Sequence, residues 1–354
     1  MTTLLEIREK IVSVYKQYEG IATVLFRFLT VLLALRYINE RIGYRDVLTS
    51  GLLSVIIALM GTIFPYNAMA GIFALLIIVH LYTLSLEAAG VAAILFILMF
   101  LLFFRFAPKD AVLILLTPVF SMFHLGYTLP VIAGLLYGPA SAATLSVGLI
   151  VMYFINFISE NNAAIGAVSE EQDMLARFRF LVDGLMQNRE LLVMMIAAAV
   201  TAAAVYIIRR LPIKYAWLVG AVAGSVLQVV VLLAGDLMFG TNISIAGAIA
   251  GMIVTILISA VVTFLMFNLD YSRIENAQFE DDDYYYYVKA VPKMTASAPK
   301  KRTVKRISST RQAYSERDWQ DDDGYGAEED ADDGFLWDQQ DDYPDDGYYY
   351  GEDL

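Results

Sequence analysis

The sequence predicts an all-α fold: a polytopic transmembrane helical bundle of about 8–10 crossings with a disordered C-terminal tail. Three observations predict it. First, 58% of the 354 residues are hydrophobic and mean hydropathy is +0.58, whereas soluble domains lie nearer ~45–50% apolar. Second, apolar runs close to the roughly 20 residues that cross a bilayer recur up to residue 267. Third, charge is segregated. Residues 1–269 carry 15 Lys/Arg against 14 Asp/Glu, and residues 270–354 carry 10 against 23. The net charge of −12 therefore belongs to the tail. With no cysteine in the chain, disulfides, thiolate catalysis and zinc–sulfur or iron–sulfur sites are excluded.

Residues 1–19 read as an amphipathic, interfacial segment. They are charged and helix-like (Glu6, Arg8, Glu9, Lys10, Lys16, Glu19), with no cleavage site behind an apolar core. The first span, 20–38, carries Arg27 near its middle. A central Arg costs about 2.5–3.5 kcal/mol on insertion scales, which the surrounding Leu, Val and Phe offset. Spans at 48–64, 68–84 and 88–106 follow, separated by Arg36 to Asp46, by Pro65-Tyr66-Asn67 and by Ser85-Leu86-Glu87. Pro108-Lys109-Asp110 then stops one helix and starts the next.

Segment 111–137 contains Pro118, Gly126, Pro130 and Gly134, and it is too long for one straight helix. It reads as a broken helix or a hairpin of two pieces, 111–126 and 128–137. Irregular backbone is not tolerated in lipid, so such a break faces protein or a wet cavity. A proline kink with a packing role alone is the plainer reading. After span 141–158, residues 159–190 form an extracytoplasmic segment with an amphipathic helix. Ser169 and Gln172 have capping-box spacing, and Met174, Leu175, Phe178, Leu181, Val182 and Leu185 follow at helical intervals. That helix either gates a cavity or simply covers apolar surface. Spans 191–208, 216–237 and 243–267 complete the membrane body, residues 191–269.

Basic loops set sidedness. Arg209, Arg210 and Lys214 place their loop, and hence the C-terminus, in the cytosol. A hairpin at 111–137 puts 8 loop or terminal Lys/Arg of the body inside and 6 outside, a slight preference over a single pass.

Residues 270–354 form the acidic, Tyr-rich tail. The run Tyr284, Tyr285, Tyr286, Tyr287, Val288 favours an extended strand that could add to a partner's sheet edge. The basic stretch Lys300 to Arg311 lies on anionic lipid or neutralises the acidic end of the same chain. The low-complexity end cannot bury enough apolar surface to fold.

Catalytic motifs are missing. There is no P-loop, GxSxG or HExxH, and no pattern for a cofactor, a metal or nucleic acid. The intramembrane polar candidates are His80, His124, Asp236 and Arg27, each weighed against ordinary core or interfacial placement. Two GxxxG pairs, Gly220 with Gly224 and Gly247 with Gly251, predict close helix packing within the chain, between adjacent spans.

The pieces Phe103 to Asp110, Leu116-Thr117-Pro118 and Phe279 to Lys293 resemble a family of clostridial-type multi-pass membrane proteins. Members are sometimes labelled transporter permeases. The resemblance covers most of the membrane body and implies no established activity or functional residues. Leu129 to Val147 is also similar, over a short stretch, to the substrate-binding subunits of energy-coupling-factor transporters. The sequence thus leads to two expectations for a multi-pass protein of a bacterial plasma membrane. The first is a non-enzymatic scaffold, embedded in the lipid bilayer, that recruits a cytosolic protein partner through its tail. The alternative is a permease-like transport component with its site at the broken segment 111–137.

Overall fold

A computed structural model describes residues 2–106, 108–166, 174–213, 215–241, 243–266, 275–280 and 285–290. Apolar side chains face outward along the long helices; Leu75 is 64% exposed and Leu237 87%. Hydroxyls point inward instead: Thr30, Thr117, Thr201, Ser225 and Thr255 are buried. Polar-in and apolar-out is the pattern of a bundle whose solvent is lipid. Several interior hydroxyls bond a carbonyl one turn back, as Thr117 does to Leu113 (2.8 Å) and Ser225 to Ala221 (2.7 Å), so burial leaves those donors satisfied.

The helices in order are α1 (Thr2–Gln17), α2 (Glu19–Ile42), α3 (Asp46–Thr49), α4 (Gly51–Ile63), α5 (Tyr66–Leu84), α6 (Leu86–Phe106) and α7 (Val112–Met122). Then come α8 (Thr128–Leu136), α9 (Ser141–Glu160), α10 (Asn162–Gly166), α11 (Met174–Met186), α12 (Arg189–Ile208), α13 (Ala216–Phe239) and α14 (Ile245–Met266). Six of them (α2, α5, α9, α12, α13 and α14) are long and apolar enough to cross a membrane; α4, α6 and α7 have shorter apolar stretches.

Contacts at the helix ends fix their directions. At one end, which is basic, Arg209 donates to the Tyr137 carbonyl (2.9 Å) and the Arg27 guanidinium lies 5.6 Å from the centre of the Tyr66 ring. There too the buried Arg8 of α1 donates to the Phe264 and Leu265 carbonyls, capping the last turn of α14. At the opposite end Tyr37 donates to Asn156 (2.8 Å), Arg189 to the Phe239 carbonyl (3.1 Å), and Arg177 pairs with Glu87 (3.6 Å). Hence α2, α5, α9 and α13 leave the basic end, and α4, α6, α12 and α14 return to it.

Helices α7 and α8 do neither. Ala111, just before α7, packs on Tyr66 at the basic end, and α8 finishes there at Tyr137. The pair is re-entrant, which is the hairpin form of the broken segment.

Several expectations need correction. The two pairs of glycines and the tail are the main cases, while Arg27 stands level with Tyr66 at the start of α5 and the buried residues of α2 run from Thr30 to Ile42. The two GxxxG pairs do not meet each other. A β-carbon on Gly220 would stand 3.4 Å from the Val205 carbonyl, and one on Gly224 would collide with the Val205 side chain, so this pair admits α12. Gly251 instead faces the Tyr127 ring. The tail is not unstructured throughout. Strand β1 (Glu275–Glu280) pairs antiparallel with β2 (Tyr285–Ala290), Phe279 opposite Tyr286 and Gln278 opposite Tyr287. The tyrosine run is thus a strand, as its composition predicts, but one of its edges is already paired within the chain. Tyr284, the capping-box residues Ser169 and Gln172, and the tail from residue 291 onward lie outside the described residues.

Candidate functional site

At ~1.5 Å per residue, the 11 residues of α7 span about 17 Å and the 9 of α8 about 14 Å, well short of the ~30 Å of hydrocarbon. The hairpin therefore stops below the end opposite its feet. The neighbouring helices, 20–24 residues long, continue past its tip. The space left over the tip is a cavity of about 400 Å³, walled by α7, α8, α9, α12, α13 and α14. The break does face a cavity, as the intolerance of lipid for open backbone requires.

The tip is built by a local motif. Helix α7 ends with His124 in the left-handed region (φ 58°). The His124 amide donates to the Ser121 carbonyl (3.0 Å) and the Leu125 amide to Phe120 (2.7 Å), the two bonds of a Schellman ending. Glycine is the usual occupant of that position; here the chain places an imidazole there, on the cavity wall. The start of α8 is tied to α14 by a buried hydrogen bond between the Thr128 and Thr255 hydroxyls (3.1 Å). Gly148 lets α9 close on Thr117 of α7, and Gly134 brings α8 against the Ala202 carbonyl of α12.

Polar groups converge on this space. Tyr153 of α9 donates from its hydroxyl to Oε1 of Glu190 (2.8 Å), at the first turn of α12. Tyr127, Ser121 and His124 come from the tip, and Ser244 and Gly247 from the start of α14. Gln228 sits midway along α13, only 3% exposed, and lines the cavity floor. Among the described residues nothing bonds its amide. Leu149, Met152 and Met194 supply apolar wall between. A phenol, a carboxylate, an imidazole and an amide around an apolar slot can orient a small solute by hydrogen bonds.

Of the candidates from sequence, only His124 and Gly247 belong to this wall. His80 is fully buried elsewhere, where its Nδ1 accepts from the Arg45 amide (3.4 Å) and its Nε2 has no hydrogen-bond partner among the described residues. Asp236 closes the α13–α14 turn, accepting from the Thr241 hydroxyl (2.9 Å) and the Ile243 amide (3.2 Å). On the hairpin of strands, Tyr285 is 64% and Tyr287 79% exposed, with Tyr286 and Val288 less so. Helix α11 does not reach the main cavity. It covers apolar surface, seating Leu181 in the core and its Gly184 on the Phe157 ring, and it walls a separate cavity of about 290 Å³ with Ser85 and Ile165.

Sequence reasoning did not single out Gln228, Glu190, Tyr153 or Tyr127. Gln228 carries a readable signal, a lone amide in a 24-residue apolar helix. Glu190 looked like an ordinary first-turn acid. No protein-family model, curated protein or solved structure matches the chain.

Proposed function

We propose that this protein is a permease-like component of a membrane transport process, binding a small solute in the cavity above the α7–α8 tip. One observation carries the reading. Gln228 carries an amide into mid-membrane on the wall of a cavity of about 400 Å³, where no described residue bonds it. A polar group at that depth needs a hydrogen-bond partner, which a solute or water in the cavity supplies. By the basic-loop rule, the end carrying Arg209 and Arg210 faces the cytosol of a bacterial plasma membrane, with the C-terminus. The cavity then opens outward, beside the exposed Glu190 and Ser244. The Arg209–Tyr137 bond holds the hairpin shut on the cytosolic side.

The absence of native cysteine gives a direct test. Ser121→Cys on the cavity wall should react with a small methanethiosulfonate in the folded, membrane-embedded chain. Ile253→Cys, on the outward face of α14, should stay unreactive. If Ser121→Cys is labelled only after denaturation, the cavity is dry and this reading fails.

A second reading, a scaffold recruiting a cytosolic protein, is supported by the exposed Tyr285 and Tyr287 on a preformed strand pair. Tyr285→Ser with Tyr287→Ser in the full chain should then reduce co-purification of that partner. Undiminished recovery would remove the reading.

A further inference from the structure

We infer that the cavity takes an organic cation: a primary ammonium group on an apolar, planar body with a neutral hydrogen-bonding far end. This rests on the cavity being a solute site and adds the class of solute. Among the described residues Glu190 is the only acid of the wall, and neither lysine nor arginine lines it. The neighbouring Arg189 is turned to the Phe239 carbonyl (3.1 Å) instead. Tyr153 occupies Oε1 of Glu190 and leaves Oε2 for a ligand. Two phenol rings, Tyr127 and Tyr153, line the same cavity as this carboxylate, and aromatic faces attract cations. His124 is the remaining titratable side chain of the wall, and it comes from the hairpin tip.

The feature that argues for an anion is the start of α8, which also borders the cavity. Its capacity is largely spent. The Thr128 amide already donates to the Leu125 carbonyl (2.9 Å), and Pro130 has no amide hydrogen. Deeper in, Met152, Met194 and Leu149 offer apolar contact. The unbonded Gln228 amide lies on the same wall, placed for the far end of a solute. A cavity of about 400 Å³ accommodates a bicyclic ring with a short side chain.

Three probes with one indole body separate the charge classes: tryptamine (cation), tryptophol (neutral) and indole-3-acetate (anion). Each is used to protect Ser121→Cys, in the full chain in nanodiscs, from uncharged methyl methanethiosulfonate. Tryptamine should protect at about tenfold lower concentration than tryptophol, the equivalent of one favourable charge contact, and indole-3-acetate should not protect. Glu190→Gln in the same background should raise the tryptamine requirement to that of tryptophol and leave tryptophol unchanged. Gln228→Leu should weaken both. Equal protection by all three, better protection by the acid, or no protection from a cysteine that is labelled would each overturn the cation assignment and leave the cavity reading intact. A cysteine that is never labelled in the folded protein overturns the cavity reading itself.

Discussion

His124 is worse for stability than an obvious substitute. A residue with a β-carbon at φ 58° costs about 1 kcal/mol relative to glycine. His124→Gly should therefore raise thermal stability in detergent by about that amount and weaken tryptamine protection. A fall in stability would show that the imidazole makes a structural contact worth more than the backbone relief. Gln228→Leu should weaken protection by tryptamine and by tryptophol alike, by about 1 kcal/mol, the net worth of one neutral hydrogen bond. Protection unchanged by this substitution would place the solute away from the amide. Both expectations come from single side chains, and only one was visible beforehand as a candidate. A histidine among apolar residues draws notice. A lone glutamine in an apolar span is a quieter signal, and only the structure shows that it lines a cavity.

Among the elements, the re-entrant pair was legible in outline. Pro118, Gly126, Pro130 and Gly134 foretold a break, and the predicted pieces 111–126 and 128–137 lie close to α7 and α8. The prolines do not mark the break itself. Pro118 is inside α7 and Pro130 is in the first turn of α8, where a missing amide costs little. The turn occupies 123–127, where the Schellman ending reverses the chain. Glycine spacing foretold close packing but not the partners. Which helix meets Gly224 depends on the order of helices around the bundle, and a repeat of four residues does not encode that order. The position of α8 rests on one such contact. A β-carbon on Gly134 would lie 2.6 Å from the Ala202 carbonyl oxygen, which is backbone and cannot swing aside. Gly134→Val should cost about 1–3 kcal/mol by overpacking. It should also increase labelling of Ser121→Cys, as α8 is pushed from α12. Unchanged labelling and stability would place α8 elsewhere.

For the whole molecule, the number and direction of crossings decide where every loop lies. Among the described residues six helices are long and apolar enough to cross, the shorter α4 and α6 alternate in direction with them, and one pair returns to its own side. The N-terminus, the Tyr137–Ser141 link, the Arg209 loop and the exit to the tail therefore share one side, and the α9–α12 connection lies on the other. Reporters after Leu354 and before Thr2 should score alike, and one near Ala163 opposite. The sequence left this open, because loop arginines preferred the hairpin by only 8 to 6. Contacts between the ends of distant helices, such as Arg8 with Phe264, decide what charge counting could not.

The re-entrant pair also separates two sets of four helices of alternating direction, α2 with α4 to α6 and α9 with α12 to α14. Each set begins and ends on the basic side. A segment that enters and leaves by the same face changes no orientation downstream, so it is a topologically silent insertion. A chain lacking residues 111–137 should still thread the membrane with Ala163 and Leu354 on their original sides. The hairpin and the cavity above it can thus be remodelled, lengthened or lost while the insertion machinery reads the same series of spans.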